Sequence, residues 1–402
     1  MNKGIQYKEA FKNYLASNNR NLSEDKTIDA EALLRKYHPD YSEGNMVSLR
    51  IGINKGDKCH KQLAALLQAD SVIDDADLAG APIVETDVLV IGGGGAGAAA
   101  AIVAAEKGAR VILATKLGFG ISNTVMAEGG IQASIEKDDT PQLHYEDTFK
   151  AGHSCGDKRL IAEMAMDGPD VIRWLIQRGM QLDQNQFGDL LTRRAGGASA
   201  DRVVYCGDYT GLEMMRALRE SILNSKVKVW DYSPAVELLT NDAGHCAGAA
   251  IYSFDSKTYT LVNARAVILA TGGIGRLHLD GFPTSNHFGA TADGLVLAYR
   301  IGARLRDVDT FQYHPTGIAH PVYLRGFLVT EGIRSSGAHL LNGLGERFVD
   351  ELKPRDHLSA AILRECSEGR GIVVDNDVKG VWLDTPYLEK EHPGTLQNRF
   401  PK

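Results

Sequence analysis

The stretch VLVIGGGGAGAAAAIVAA, residues 88–105, restricts the fold more than any other part of this 402-residue chain. It carries no charge and is close to the length that crosses a bilayer as one helix. The run of glycine at residues 92–95 argues against a continuous helix, because each glycine costs about 1 kcal/mol relative to alanine in a helix interior. A buried strand, a tight turn and a helix of small residues explain the pattern better, so we expect no direct membrane insertion.

The residues around the glycines predict one βαβ unit. TDVLVIG is an apolar run of β-formers, which is typical of a buried parallel strand. AGAAAAIVAAEKG is alanine-rich and reaches Gly108, a residue type that ends helices. ARVILAT follows as a second buried strand, and this order favours a right-handed crossover. Further strands are predicted at KVKVWDYS, AVELLT, CAGAAIYSF and YTLVNARAVILATGG, and helices at RLIAEMAMDGPDVIRWLIQRGM and GLEMMRALRESILNS.

Within the turn, Gly92, Gly94 and Gly97 have the G-x-G-x-x-G spacing of dinucleotide-binding loops. The first glycine turns the chain, the second lets a pyrophosphate approach the backbone, and the third lets the helix pack on the strand. Amide groups at the helix N-terminus then meet the phosphates. The acidic residue that usually binds the ribose is missing, because Thr115 and Lys116 end the second strand. This absence argues against a plain NAD site.

Composition excludes several classes of function. A formal net charge of -7 argues against nucleic acid as the main partner, since phosphate backbones require a basic face. The cysteines form no C-x-x-C pair, so the sequence predicts neither a zinc knuckle nor a redox dithiol, and no metal ligands are assigned. An odd, sparse cysteine count fits a reducing compartment, and the first residues lack the apolar core of a secretory signal. We therefore expect a cytoplasmic protein.

Residues 1–85 differ in character from the rest of the chain. They are polar and rich in lysine, with helix-like patches at Tyr7–Ala16 and Ala30–Tyr37. YHPDYSEGN is a predicted loop because of its Pro, Asp, Gly and Asn content. The segment contains no recognisable catalytic motif, and we interpret it as a small appended domain or docking arm.

Eight motifs follow one another along the chain: DVLVIGGGGAGAAAA, SNTVMAEGGI, AVILATGG, TADGLVLAYRIGA, QYHPTGI, VTEGIR, GERFVDE and PRDHL. In this order they resemble the flavoprotein subunit family of succinate dehydrogenase, fumarate reductase and L-aspartate oxidase. The resemblance runs from residue 87 to residue 402 and implies bound FAD. It also implies an α/β architecture, with a Rossmann-like FAD-binding domain around a parallel sheet and an α+β capping domain that closes over a dicarboxylate. We expect an N-terminal extension at residues 1–85, an incomplete FAD-binding domain at 86–305 and a capping domain at 306–402.

The resemblance assigns the FAD-binding residues. One departure concerns Asn123, which stands where membrane-bound relatives have a histidine bonded covalently to the flavin. An amide does not form that bond, so we expect noncovalent FAD. AVILATGG is predicted to be a further buried strand that ends in a glycine turn. This turn either lies against the adenosine half of the cofactor or is an ordinary loop. The predicted cofactor-binding residues are Gly92, Gly94, Gly95, Ala96, Gly97, Thr115, Lys116, Ser122, Asn123, Thr124, Glu128, Gly129, Gly130, Ala270, Thr271, Gly272 and Asp293.

The resemblance also implies a substrate site. His314 and Thr330 are expected to bind a substrate carboxylate, with Glu331 beside them. Arg355 is the expected proton donor, resupplied through Glu331 and Arg334. Free guanidinium has a pKa above about 12 and is a poor acid, so its deprotonation has to be transient. The alternative is a buried ion-pair network that only fixes the loop.

The sequence leaves the exact activity open. Two family segments, His-Tyr-x-x-Gly-Gly and Arg-x-x-Ser-Asn-Ser, do not occur, so we expect a fragment or a site completed by another chain. The expected partners are a small dicarboxylate and an iron–sulfur electron-transfer protein, which would hold the chain at the inner face of a membrane. L-aspartate oxidase is a rival, although Arg194 and Ala195 replace the glutamate that meets its substrate ammonium. Reduction of another unsaturated acid and a non-catalytic flavin-binding or assembly role are also compatible with these motifs.

Overall fold

The computed structural model describes residues 4–22, 29–277, 283–374 and 378–400. Its α-helices are α1 (Tyr7–Ala16), α2 (Ala30–Tyr37), α3 (Lys61–Leu67), α4 (Asp75–Leu78), α5 (Gly95–Glu106), α6 (Pro141–Ala151), α7 (Lys158–Gln177), α8 (Thr210–Leu223), α9 (Asp293–Arg300), α10 (Glu331–Ser335), α11 (Arg355–Ser367), α12 (Thr385–Glu391) and α13 (Thr395–Arg399). Its strands are β1 (Ile5–Gln6), β2 (Met46–Ser48), β3 (Lys58–His60), β4 (Ile83–Ile91), β5 (Val111–Ala114), β6 (Ile131–Gln132), β7 (Thr192–Arg193), β8 (Val203–Val204), β9 (Lys228–Trp230), β10 (Ala235–Thr240), β11 (Cys246–Ser253), β12 (Thr258–Leu269), β13 (His339–Leu341), β14 (Ile372–Val374), β15 (Val378–Gly380) and β16 (Trp382–Asp384).

A six-stranded sheet in the order β10-β11-β12-β4-β5-β9 forms the centre of the molecule. Strands β12, β4, β5 and β9 run parallel, whereas β10, β11 and β12 pair antiparallel. The predicted βαβ unit is confirmed as β4, α5 and β5. Alternate side chains of β4 enter two cores: Val90 packs with α5, α7 and α8, and Leu89 packs with β11 and α9. The apolar run therefore reflects a strand that is buried on both faces.

The end of helix α5 follows the expected glycine signal. Its last residue is Glu106, and Gly108 adopts a φ of +87°, a conformation that a side chain would disfavour. Strands β9 to β12 and helices α7 and α8 also lie at the predicted places. Across residues 4–22, 29–277, 283–374 and 378–400, no helix combines the length and the apolar content needed to cross a membrane.

A small antiparallel sheet, β6-β8-β7, lies beside the central sheet. It adjoins two loops. One consists of residues 127–130 and precedes β6, and the other consists of residues 193–197 and begins at the end of β7. Behind it, the guanidinium of Arg202 is fully buried and binds Asp139 and Asp147. This ion cluster ties the loop before β8 to helix α6 and to the loop before that helix.

The N-terminal segment packs against elements from two later regions of the chain, α9 and the region from α11 to β14. Strand β1 adds to β14, helix α2 packs on α11, and α3 packs on α9. Three aromatic rings of α1, those of Tyr7, Phe11 and Tyr14, surround Trp382 at centroid distances of 5.4, 6.3 and 6.0 Å. Arg20 adds an ion pair to the buried Asp384 at 2.6 Å. The segment shares apolar cores with the rest of the molecule, including the cluster formed by α3 and α9.

Candidate functional site

The glycine turn lies where three parallel strands end together. Leu269 of β12 pairs with Ile91 of β4, which pairs with Ala114 of β5. Gly92 has a φ of +117°, and a Cβ there would lie 2.3 Å from the carbonyl oxygen of Ala270. The turn therefore requires glycine for both its conformation and its close approach to the next strand.

The third glycine of the motif brings the helix onto the turn. A Cβ on Gly97 would lie 1.9 Å from the carbonyl oxygen of Gly92. Gly94 is the N-cap of α5, and the amide of Gly95 donates to the Thr124 hydroxyl at 3.1 Å. The helix N-terminus thus opens beside residues 122–124, in the geometry that binds phosphate.

A cavity of about 400 Å³ opens at this edge of the sheet. Every predicted cofactor-binding residue lines it except Gly97, which packs behind the turn, and Glu128, Gly129 and Gly130, which line a second cavity. Ligands of α/β proteins bind at such carboxyl ends of parallel strands. The lining residues predicted from sequence are Gly92, Gly94, Gly95, Ala96, Thr115, Lys116, Ser122, Asn123, Thr124, Ala270, Thr271, Gly272 and Asp293.

The polar groups of this cavity fit a dinucleotide. Ser122 Oγ is buried and has no partner among the described residues, and it lies 3.3 Å from where a Cβ on Gly94 would be. A phosphate oxygen would satisfy this hydroxyl. Lys116 Nζ binds Asp293 at 2.5 Å and Thr291 at 2.8 Å, so the cavity also offers a cation and a carboxylate to a ligand.

The side-chain amide of Asn123 binds the chain itself through both its nitrogen and its oxygen. Its Nδ2 donates to Asn286 Oδ1 at 3.0 Å, and its Oδ1 accepts from the His287 amide at 2.6 Å. These bonds tie residues 122–124 to the segment before α9. The amide at position 123 therefore connects two segments of the chain that line this cavity.

The second cavity has a volume of about 280 Å³ and brings the predicted substrate residues together. Helix α10 begins with Glu331, and Thr330 is its N-cap, accepting from the Gly332 amide at 3.3 Å. Because Gly332 and Gly337 limit helix formation, α10 has only five residues, as expected from sequence. The described residues lining this cavity include Glu128, Gly129, Gly130, Arg193, Arg194, His314, Thr330, Glu331 and Arg355.

Both predicted arginines bind the same oxygen of Glu331. Arg355 donates to Glu331 Oε2 through Nε at 3.2 Å and Nη2 at 3.1 Å, and Arg334 Nη2 lies 3.5 Å from this oxygen. The side chain of Arg355 is 39% exposed and that of Arg334 is 1% exposed. Arg355 therefore faces the cavity, and Arg334 stands behind the carboxylate.

The hydrogen bonds of Glu331 also determine its charge. Burial raises the pKa of this carboxyl, but Arg355, the Gly196 amide at 2.8 Å and Arg334 outweigh burial, so the net pKa is lowered. Burial lowers the pKa of Arg334 despite the neighbouring carboxylate. The network thus combines an ionised carboxylate with a guanidinium whose deprotonation is eased by its surroundings.

His314 is neutral at ordinary pH. Burial lowers its pKa to about 4, and the charges of Arg355 and Arg334 act in the same direction. Its Nδ1 lies 3.3 Å from the Thr316 amide and 3.1 Å from the Thr316 carbonyl oxygen, on the X-Pro turn. The backbone of one residue thus holds the ring at the cavity.

Sequence analysis missed Arg193 and Gln312. Arg193 Nη2 donates to the Gly129 carbonyl at 2.6 Å, and its guanidinium lies 4.4 Å from the centre of the Tyr205 ring. Gln312 Oε1 accepts from Arg355 Nη1 at 3.0 Å and orients it. The available signals were the paired arginines of LTRRAGG and the first residue of QYHPTGI, but neither shows which side chain turns inward.

Comparison with known proteins identifies the family. Residues 87–402 match the protein family that is described as "FAD binding domain". This chain belongs to that family. It is similar to a fumarate reductase (CoM/CoB) subunit of Methanothermobacter marburgensis, with 38% identity over 76% of this chain and 56% of that protein. It is also similar to L-aspartate oxidase of Streptomyces coelicolor, with 33% identity over 79% of this chain and 55% of that protein.

The solved structures give the same fold. The chain superposes on E. coli quinol fumarate reductase FrdA with a TM-score of 0.72 and 30% identity, covering 80% of this chain and 56% of that one. The α/β fold and the FAD cofactor predicted from sequence are thereby confirmed. The chain spans about half the length of the curated relatives it matches.

We expect Gly92→Ala to prevent FAD binding. The new Cβ meets the Ala270 carbonyl at 2.3 Å in a backbone conformation that favours glycine, so the turn has to move away from the cofactor. Flavin content per chain after purification measures the effect. Gly44→Ala is the matched control, because a Cβ there meets nothing within 4 Å. Full flavin occupancy in Gly92→Ala would contradict the assignment of this turn.

The partly buried His314 is expected to make the folded protein acid-sensitive. Its pKa is about 4 when folded, against about 6.5 when unfolded, so the unfolded chain binds more protons between these values. Stability therefore falls as the pH drops through this window, by about 2–3 kcal/mol at about pH 4.5. Urea unfolding of wild type and His314→Asn at both ends of the window measures it. An equal loss of stability in both proteins would exclude His314 as a cause.

Proposed function

We propose that this chain is the flavoprotein part of an enzyme that interconverts fumarate and succinate with noncovalent FAD. When bound, FAD supplies the hydride donor or acceptor at N5 of its ring. The observation that carries the proposal is that Arg355, Glu331 and Arg334 form one hydrogen-bonded chain at a cavity that His314 and Thr330 also line.

The charges around the second cavity favour a dicarboxylate. Arg193 and Arg355 line it, so anions are attracted to it, whereas the guanidinium of Arg194 pairs with Asp201 at the surface. His314 is neutral and donates from Nε2 when its Nδ1 accepts the Thr316 amide, which suits a carboxylate oxygen. These groups bind and orient the two carboxylates, and they stabilise negative charge that develops during hydride transfer.

Arg355 delivers the proton to the substrate carbon in this mechanism. Arg355 donates to Glu331 Oε2 through Nε and Nη2, and Arg334 lies behind the same oxygen. The loss of a proton from Arg355 is therefore transient, because a replacement is within hydrogen-bonding reach. A replacement proton then passes from Arg334 through Glu331 to Arg355. The buried position of Arg334 favours this direction, since burial lowers its pKa.

L-aspartate oxidase activity is the second candidate, supported by the similarity to the Streptomyces coelicolor protein. The cavity argues against it, because the cations of Arg193 and Arg355 would repel a substrate ammonium. A reductase of another unsaturated acid uses the same groups and differs only in the shape of its substrate. We further propose that electrons arrive through an iron–sulfur partner and that the protein is cytoplasmic, held at a membrane only through partners.

Reoxidation of the reduced flavin tests the proposal. We expect the purified flavoprotein, reduced anaerobically with dithionite, to regain its visible flavin band when fumarate is added but not when iminoaspartate is added. L-aspartate should not bleach the band of the oxidised flavoprotein, as it would in an L-aspartate oxidase. Acid precipitation should leave the flavin in the supernatant, which separates noncovalent from covalent FAD. Reduced flavin that fumarate leaves unchanged would overturn the activity. Protein that binds no FAD would favour the assembly role.

A further inference from the structure

Two histidines and one aspartate form a cluster outside both cavities. One ligand atom from each of His153, Asp356 and His357 lies within 4.8 Å of the others. His153 Nε2 is 2.5 Å from Asp356 Oδ2, and the two imidazole rings are 5.9 Å apart, centre to centre. The set is imidazole, imidazole and carboxylate, a combination that binds zinc and related ions.

Local structure holds this cluster in place from two sides. His153 lies in the turn between α6 and α7 with a φ of +51°, and Ser154 follows with a φ of +61°. Backbone bonds from Ser154 to Phe149 and from Cys155 to Gly152, both 2.9 Å, close the turn. Asp356 and His357 are in the first turn of α11. The two contributing segments are far apart in sequence, and tertiary packing alone brings them together.

We propose that His153, Asp356 and His357 bind one divalent first-row transition ion, for which Zn²⁺ is the best match. Tetrahedral Zn²⁺ with ligand bonds of about 2.0–2.2 Å separates its ligand atoms by roughly 3.3–3.5 Å. The observed spacings of 2.5 Å to at most 4.8 Å bracket that value. Since the His153 side chain is 51% exposed, it is free to adjust, and solvent supplies the remaining ligand position.

The location of the site determines what a bound ion would do to the structure. It would join the α6–α7 turn to α11, whose first residue is Arg355. Arg355 turns toward Glu331, whereas Asp356 and His357 turn toward His153. A bound ion would therefore restrain the helix that positions the proton donor without occupying the second cavity. Metal binding itself does not depend on the proposed function; only the effect on turnover does.

Metal titration of the FAD-loaded protein tests the site. After chelator treatment and gel filtration, we expect one Zn²⁺ per chain by calorimetry, and a visible d–d absorption band when Co²⁺ is added and lost when Zn²⁺ follows. His153→Ala and His357→Gln should each weaken Zn²⁺ binding by at least about 100-fold. His245→Ala, an exposed histidine in the turn between β10 and β11, should leave the affinity unchanged.

Cysteine has to be separated from this site, because Cys155 is exposed and lies two residues from His153. All titrations are therefore repeated with Cys155→Ser, which should keep one Zn²⁺ per chain. Loss of binding in that variant, equal affinity in wild type and His153→Ala, or no binding of Zn²⁺ would each overturn the proposal. Circular dichroism of each variant confirms that the fold is retained.

Discussion

Arg355→Gln is expected to lower turnover by about 10²–10⁴-fold, the range that general acid catalysis contributes. Glutamine keeps a hydrogen-bond donor near Glu331, but its neutral amide is not an acid that can protonate the substrate carbon. Its side chain does not reach the first cavity, so FAD content and the visible spectrum should match those of the wild type. Steady-state reduction of fumarate, measured with the electron donor in excess, gives the comparison.

Two further variants separate charge from geometry at this position. Arg355→Lys retains a cation but loses the paired bonds from Nε and Nη2 to Glu331, so we expect a large loss there too. Lys353→Gln is the matched control. Lys353 is exposed, and this substitution removes one positive charge only two residues from Arg355. Full turnover in Arg355→Gln would exclude this residue from proton transfer and favour a network that only fixes the loop.

Arg202→Met is expected to destabilise the protein by about 3–5 kcal/mol, as happens when one member of a buried ion cluster is removed. The guanidinium is fully buried, binds both oxygens of Asp139 at 2.8 and 2.9 Å, and binds Asp147 at 2.7 Å. Methionine fills similar volume but leaves two carboxylates without their cation. Urea unfolding with FAD in excess measures the change in the free energy of unfolding.

Arg173→Met provides the control for this prediction. Arg173 pairs with Asp170 on the outside of α7, where both side chains are mostly exposed, so its loss should change stability by no more than about 1 kcal/mol. Asp139→Asn combined with Arg202→Met should recover part of the loss, because it removes one uncompensated charge. Equal effects of Arg173→Met and Arg202→Met would show that burial does not govern the Arg202 contribution.

Local sequence determined the nucleotide-binding half of the molecule. The glycines at 92, 94 and 97 leave few backbone paths, since each missing Cβ corresponds to a close approach or a cap. The apolar runs on either side are strands buried on both faces. Such features lie within about thirty residues, the span of one βαβ unit, so a short window of sequence encodes them.

The substrate side was predicted differently. His314, Thr330, Glu331 and Arg355 came from motifs in a known order, and the structure places them around one cavity. Spacing along the chain does not predict that Glu331 Oε2 is shared by Arg334 and Arg355, because these side chains come from α10 and α11. Arg193 was missed for the same reason: its neighbour Arg194 has an identical side chain but pairs with Asp201 at the surface.

By itself, then, the sequence determined the strand–glycine–helix unit, the FAD cofactor through its motifs and the short helix at Glu331. Only the tertiary structure decided that Arg202 is buried between two aspartates, that the aromatic rings of α1 pack on Trp382, and that His153 meets Asp356. The physical reason is range. Periodicity and backbone restrictions act over a few residues, whereas burial and ion pairing depend on which distant segments the packed core brings together.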